Sequence, residues 1–170
     1  TMGGVAFILA SGIALLFFDK FHTPHTLALF FLVFTLALVG GLDDWLILKR
    51  GKNQGLFGRQ KLLGQILCGV VFAVILISHG HHETVGSFLK SVGLGFPLPY
   101  FVFVVFIIVS ASNAVNLTDG LDGLATGLTL IALSVFGVIL FQKGLMDLLS
   151  LDLIFIGGLL AFLIFNKNPA

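Results

Sequence analysis

Six mostly apolar stretches fill this 170-residue chain and constrain its fold more than any other feature of the sequence. A helix that crosses a bilayer needs about 20 largely apolar residues, with a range of about 17–25. Only 10% of the residues are charged, whereas a soluble domain carries about 25%. The sequence therefore predicts an all-α polytopic helical transmembrane bundle, forming a single domain. Its spans are predicted at about residues 2–18, 26–42, 62–78, 100–115, 121–141 and 153–165.

The basic residues of the connecting segments concentrate on one predicted side of the membrane. Lysines and arginines are frequent in segment 43–61, and Lys167 lies near the C-terminus on the same side. The other side carries only Lys20, Lys90 and Lys143. The positive-inside rule therefore puts segments 43–61 and 116–120 and both chain ends in the cytoplasm. The net charge of +1 argues against a nucleic-acid partner, because such partners need dense basic patches.

The acidic residues divide into two groups of four. Asp19, Glu83, Asp147 and Asp152 fall in predicted outer loops, and we interpret them as solvated charges. The second group lies at the cytoplasmic ends of apolar runs, where ionisable groups are costly and are functional by default. Its members are Asp43, Asp44, Asp119 and Asp122.

Asp43 and Asp44 are adjacent, so their carboxylates repel each other unless a cation or a proton neutralises one of them. They are candidates for a metal site or a general base, although a plain pair of charges at a helix end would look the same. The string Asn113–Gly123 is more specific, because a polar residue recurs at every third position and glycines follow two of them. This density of polar groups favours a binding site over a polar seam between helices.

Aspartates on one membrane face, with a basic loop between the two clusters, fit a phosphate substrate held through magnesium. Mg²⁺ prefers oxygen ligands and usually takes one or two carboxylates plus substrate phosphates. We interpret all the histidines as loop residues rather than metal ligands, because the spacing in the string His79–His82 implies no ligand geometry. Cys68 lies in an apolar run and is interpreted as packing.

Five motifs together resemble one enzyme family, the phospho-N-acetylmuramoyl-pentapeptide transferases (MraY), of the polyprenyl-phosphate N-acetylhexosamine-1-phosphate transferase superfamily. The string Asn113–Ala125 is the most specific of them, and all five occur in the family's order from the first residue to the last. The motifs are Thr1-Met-Gly-Gly, Gly41-Leu-Asp-Asp44, Gly55-Leu-Phe-Gly-Arg-Gln-Lys61, Asn113–Ala125 and Phe165-Asn-x-x-Pro-Ala170.

The resemblance implies a ten-helix enzyme of the bacterial inner membrane, in which these six spans would be the second to the seventh. The implied reaction joins the phospho-MurNAc-pentapeptide of UDP-MurNAc-pentapeptide to undecaprenyl phosphate, giving lipid I and UMP at the cytoplasmic face. The implied cofactor is Mg²⁺. Membrane lipid surrounds such an enzyme, and a homodimer is compatible with the resemblance.

The resemblance also assigns roles to individual residues. Asp43 and Asp44 would serve the lipid phosphate and its deprotonation, and both are candidate Mg²⁺ ligands. Lys61 would contact phosphate. The nucleotide pocket would be lined by Asn116, Asp119 and Asp122, with Thr1 and Asn166 at its edge.

The chain departs from the family pattern in two respects. Ile47 occupies a position where the family commonly has lysine. The family pattern also continues past Ala170 into a Met-Gly-Asp segment, whose aspartate is the main Mg²⁺ ligand, and then into a histidine-rich cytoplasmic loop. We therefore expect these 170 residues to be about half of the enzyme and to be inactive alone.

Three alternatives remain open. A GlcNAc-1-phosphate transferase of the same superfamily would use similar motifs, but its residues at the positions of Thr1-Met-Gly-Gly, Val115, Leu117 and Thr118 usually differ. An intramembrane aspartyl protease would also need two aspartates, one on each of two helices and deeper in the membrane. A cation transporter would need acids near mid-membrane, and the middles of the predicted spans contain none.

Overall fold

The computed structural model describes residues 3–17, 23–50, 55–79, 83–94 and 97–166, and these ranges contain seven helices and no strand. The prediction of an all-α polytopic bundle is confirmed. The helices are α1 (Gly3–Phe17), α2 (Pro24–Arg50), α3 (Gly58–Ser78), α4 (Glu83–Ser91), α5 (Leu98–Thr118), α6 (Leu124–Gln142) and α7 (Met146–Asn166).

Helices α2, α3, α5, α6 and α7 are each long and apolar enough to cross a membrane, and α1 is apolar but has only 15 residues. Their outward apolar side chains are widely exposed, as in the case of Leu117 at 83% and Phe165 at 82%. Lipid is the solvent that such a surface requires, because water would make its exposure unfavourable. The protein is a multi-pass membrane protein.

A helix lies over each of the six predicted spans, but two boundaries differ from the expectation by at least seven residues, and one further helix is present. Helix α2 continues past Asp43 to Arg50, because Leu, Ile and Trp side chains follow the acids and none of them interrupts a helix. Helix α7 begins at Met146 instead of 153. Segment 79–99, expected to be a loop, contains the short amphipathic helix α4.

The early start of α7 makes the interpretation of Asp147 and Asp152 as solvated loop residues wrong. Asp152 is not a solvated loop residue, because it lies in the second turn of α7 and is only 6% exposed. Its Oδ2 atom is buried and has no hydrogen-bond partner among the described residues. Asp147 is also helical and half-buried, and its Oδ2 accepts a hydrogen bond from Thr23 Oγ1 at 2.7 Å.

The structure describes some of the histidines and acids that were expected in outer loops. The expectation of a loop is wrong for His25, which lies in the first turn of α2 and is exposed. His79 follows the end of α3 and is exposed. Glu83 begins α4. Asp19, His22, His81 and His82 lie outside the described residues.

Two groups of helices form the bundle. In the first, α2, α3 and α5 share a core of Ala28, Phe72 and Ile108. In the second, α1 packs on α7, where the rings of Phe7 and Phe155 are 5.8 Å apart, and α6 packs on α7.

We call the end of the bundle where α2 ends and α3 begins the basic end, because Arg50, Arg59 and Lys61 lie there. The turn between α5 and α6 lies at the same end. Gly123 adopts a positive φ of 77° in this turn, immediately before α6, a conformation that glycine adopts without the steric penalty of a Cβ. The basic end therefore brings together the two acidic clusters identified in the sequence.

Candidate functional site

Asp43 is the centre of a polar cluster at the basic end. Its Oδ2 accepts a hydrogen bond from Lys61 Nζ at 3.1 Å, and its Oδ1 accepts one from the backbone N–H of Leu56 at 2.7 Å. The Asp43 and Lys61 side chains are 18% and 22% exposed. The carboxylate is thus satisfied at both oxygens, one of them by a cation, in a partly shielded position.

Lys61 joins this carboxylate to a third helix. Its Nζ also donates to Asn116 Oδ1 at 2.9 Å. Asp43 belongs to α2, Lys61 to α3 and Asn116 to α5, so one ammonium group ties the three helices together. We call Asp43, Lys61 and Asn116 the ammonium cluster.

The connection between α2 and α3 shapes this cluster. At Gly55, a Cβ would collide with Asp43 Oδ1, so the absence of a side chain lets the backbone pass over the carboxylate. Arg50 Nη1 donates to the carbonyl of Gly55 at 3.1 Å. At the start of α3, the Phe57 N–H donates to Gln60 Oε1 at 3.1 Å, which satisfies a backbone group that the first turn leaves unpaired.

Asp44 and Ile47 lie on α2 beside this connection. Asp44 is half-buried, and it points roughly 100° around the helix from Asp43. Ile47 lies close enough to Gly55 for its Cγ1 to be 3.1 Å from a Cβ placed there. Ile47 therefore makes an apolar contact beside Gly55.

Asp119 and Asp122 lie near the ammonium cluster in the chain but not in direct contact with it. Asp119 follows the last residue of α5, Asp122 lies in the turn before α6, and both are exposed. Among the described residues, neither makes a hydrogen bond to Asp43, Lys61 or Asn116. Both side chains are therefore accessible from outside the bundle.

The side chains of two predicted site residues, Thr1 and Asn166, lie outside the described part of the structure. Thr1 lies outside the described residues, and Asn166 is the last residue of α7, with a side chain that the structure does not describe. The structure therefore unites three of the predicted site residues and places Asp44, Asp119 and Asp122 around them at the same end.

The candidate metal ligands among the described residues do not form a cluster of three or more. In the described part of the chain, no three His, Cys, Asp or Glu side chains are grouped closely enough to hold a metal ion. A metal at Asp43 would share the carboxylate oxygens with Lys61 Nζ and the Leu56 N–H. The described residues thus offer carboxylates that could supply one or two of the ligands of Mg²⁺, with substrate phosphates supplying others.

Sequence reasoning missed three contributors to the basic end. The Leu56 amide could not be foreseen, because only the folded loop brings it to Asp43. Gln65 and Ser112 left a weak signal, since each is a polar residue within an apolar run. Gln65 follows Lys61 by one helical turn and therefore lies on the same face of α3.

Comparison with known proteins identifies relatives across the whole chain. The sequence profile of glycosyl transferase family 4 matches residues 26–170. The phospho-N-acetylmuramoyl-pentapeptide-transferase of Listeria monocytogenes serotype 4b is 40% identical over 173 residues, covering 100% of this chain and 53% of the relative. The enzymes of the same name from Enterococcus faecalis and Streptococcus pneumoniae are each 42% identical, and the match covers 54% and 52% of them. The chain thus spans about half the length of the curated relatives it matches.

Proposed function

The chain belongs to glycosyl transferase family 4, and from this membership we propose that the complete protein transfers phospho-MurNAc-pentapeptide from its UDP conjugate to undecaprenyl phosphate. The products would be lipid I and UMP. The names of the similar enzymes support this choice of sugar substrate. The string Asn113–Ala125 supports it as well.

The ammonium cluster is the observation that carries the proposal. Lys61 Nζ lies 3.1 Å from Asp43, on the proposed lipid-phosphate side, and 2.9 Å from Asn116, on the proposed nucleotide side. A single cation between the two sets of residues suits a reaction in which two phosphate-bearing substrates must approach each other. Its charge would offset the repulsion between their anionic oxygens.

The proposed chemistry is a phosphoryl transfer. An oxygen of the lipid phosphate attacks the phosphorus that carries the sugar, a new phosphorus–oxygen bond forms, and the bond to UMP breaks. Such reactions depend mainly on positioning and electrostatic stabilisation. Lys61 would orient the attacking phosphate, and one carboxylate of the Asp43–Asp44 pair would accept its remaining proton. Asn116, Asp119 and Asp122 would hold the nucleotide at the basic end.

We propose Mg²⁺ as the cofactor of the complete protein. Bound Mg²⁺ would neutralise charge on the diphosphate. In keeping with the resemblance, its main ligand would lie outside these 170 residues. Within this chain, Asp43 and Asp44 are both candidate ligands.

The proposed location is the bacterial inner membrane, with the basic end in the cytoplasm. Lys49, Arg50, Arg59 and Lys61 at that end support this orientation through the positive-inside rule. Undecaprenyl phosphate would approach from the surrounding lipid, and the soluble nucleotide would approach from the cytoplasm.

Reconstitution of the complete gene product tests the proposal. Vesicles containing the protein, undecaprenyl phosphate, UDP-MurNAc-pentapeptide and Mg²⁺ should release UMP and form a lipid-linked sugar, and EDTA should stop both. Lys61→Ala should lower kcat by at least about a hundredfold, the scale of losing one electrostatic donor. Lys143→Ala, at the opposite end of α6, is the matched control and should leave the rate unchanged.

Substrate competition separates the alternatives. If UDP-GlcNAc is used in preference to UDP-MurNAc-pentapeptide, the protein is the other type of sugar-phosphate transferase. A catalytic pair of protease aspartates must share a proton between facing carboxyls. Asp43 instead binds an ammonium and a backbone amide, an arrangement that disfavours such sharing. Peptide cleavage that survives EDTA would nevertheless favour the protease.

A further inference from the structure

A second polar contact joins α3 and α5 one helical turn deeper than the ammonium cluster. Gln65 Oε1 accepts a hydrogen bond from Asn113 Nδ2 at 2.7 Å, and Gln65 Nε2 donates to Ser112 Oγ at 3.0 Å. The Gln65 side chain is only 2% exposed and is among the largest fully buried side chains described. We call Gln65, Ser112 and Asn113 the amide clamp.

The amide clamp is directional, because each of its hydrogen bonds fixes which end of an amide faces which partner. Asn113 Nδ2 also donates to the carbonyl of Val109 at 2.8 Å, so both of its N–H bonds are used. With the Asn113 amide held by its own helix, the Gln65 amide has one orientation that satisfies its neighbours. A shift of α3 along α5 by a single residue would break both contacts to Gln65.

The clamp and the ammonium cluster lie on the same faces of the two helices. Gln65 follows Lys61 by four residues, and Asn116 follows Asn113 by three, so both contacts line up along the antiparallel pair. Deeper still, a Cβ on Gly69 would lie 3.4 Å from Val105 Cα, which marks a close approach of the backbones. The helices are thus held in register from the close approach up to Lys61.

Close packing at Gly69 cannot fix that register alone, because apolar contacts are non-directional. Lys61 and Asn116 cannot fix it either, since Asn116 is exposed and Lys61 has a long flexible side chain. Among these contacts, only the buried amide pair is both shielded from water and directional. A satisfied polar network of this kind specifies one arrangement of its helices.

From this geometry, and resting on the proposed function, we propose that Gln65 is a positioning residue that sets the distance between the lipid-phosphate and nucleotide sides by fixing Lys61 between Asp43 and Asn116. Gln65 does not touch either substrate. It acts through Lys61 and the register of α3 on α5. The expected signature is a slower reaction of correctly bound substrates, rather than weaker binding of either one.

Kinetics of the complete gene product in vesicles test this role. Gln65→Met keeps a side chain of similar length and removes both hydrogen bonds. We expect kcat to fall about tenfold or more, because small misplacements of reacting groups are costly, with the KM of each substrate changed less than about twofold. Phe72→Leu is the matched control. It weakens the packing of α3 in the core with Ala28 and Ile108 and leaves the residues of the amide clamp unchanged. It should leave kcat within about twofold.

A measurement independent of activity tests the register itself. Cysteines replace Lys61 and Asn116 in a Cys68→Ala background, and a short bifunctional thiol reagent bridges them. Gln65→Met should slow the bridging at least threefold, and Phe72→Leu should not.

The outcomes separate the two proposals. If the wild-type protein is inactive with both substrates but Gln65→Met slows bridging, the proposed function fails while the register role stands. If the wild-type protein is active, unchanged kcat in Gln65→Met overturns the positioning role. An equal loss in Phe72→Leu, or unchanged bridging in Gln65→Met, also overturns it.

Discussion

The contact between Asp43 and Lys61 makes a quantitative prediction about stability. Asp43→Asn removes the negative charge while keeping an oxygen that can accept the Leu56 N–H, and Lys61→Met removes the ammonium while keeping most of the aliphatic chain. The two single variants and the double variant form a thermodynamic cycle, which isolates the pair from the other contacts of each residue.

The expected coupling follows from the geometry of the pair. Fully exposed ion pairs contribute about 0.2–1 kcal/mol, and hydrogen bonds to charged groups contribute about 1.5–3 kcal/mol. With a separation of 3.1 Å and side chains 18% and 22% exposed, the pair lies between these cases. We expect a coupling of about 1–2 kcal/mol on that basis.

Equilibrium unfolding in detergent micelles, followed by helical circular dichroism, measures the cycle. Lys143→Met provides the control, because Lys143 is an exposed lysine following α6 at the far end of the bundle. Paired with Asp43→Asn, it should show no coupling. If the Asp43–Lys61 coupling is below about 0.3 kcal/mol, within the usual error of additivity, the cluster does not hold the three helices together and the reasoning is refuted.

Two further predictions concern glycines whose missing side chains make room for a carboxylate. In Gly55→Ala, the added Cβ should displace the Asp43 carboxylate from its position beside residue 55. Transferase kcat of the complete protein should then fall by at least about tenfold. Activity equal to that of the wild type would contradict the contact between Gly55 and Asp43. Gly137→Ala would put a Cβ 2.8 Å from Asp152 Oδ2 and should destabilise the fold by about 1–3 kcal/mol in the same unfolding assay. Adding Asp152→Ala should recover part of this loss. Gly127→Ala, with no atom within 4 Å of its Cβ, is the neutral control for both.

Sequence patterns predicted the helices well because the runs are long and the bilayer fixes the length that a span requires. They predicted the ends less well. Asp43 and Asp152 mark the limits of apolar runs in the sequence. An acidic residue interrupts a run of apolar residues, but it does not necessarily end a helix. Helices α2 and α7 therefore extend past them, and the buried position of Asp152 could not be seen.

The candidate site was predictable as a set of residues but not as a set of contacts. Asp43 and Lys61 stand out as charges at the ends of apolar runs, whereas their hydrogen bond depends on how α2 and α3 pair across the intervening loop. Gln65 drew no attention because one amide carries no charge and completes no motif. Its role depends on facing Ser112 and Asn113, which lie on another helix.

Because α2 is one continuous helix from Pro24 to Arg50, the depth of Asp43 in the bilayer depends on the tilt of that helix. At 1.5 Å per residue, Asp43 lies roughly 30 Å along the axis from Pro24, close to the thickness of the hydrocarbon core. Lys49 and Arg50 continue roughly 10 Å farther, into the headgroup layer. If Pro24 lies at the outer boundary of the hydrocarbon core, the carboxylate lies near the inner boundary, just below the headgroup layer. In the proposed reaction, a lipid substrate would reach this carboxylate without withdrawing its chain from the membrane. A thicker or thinner bilayer would change the depth of the carboxylate relative to the lipid phosphates.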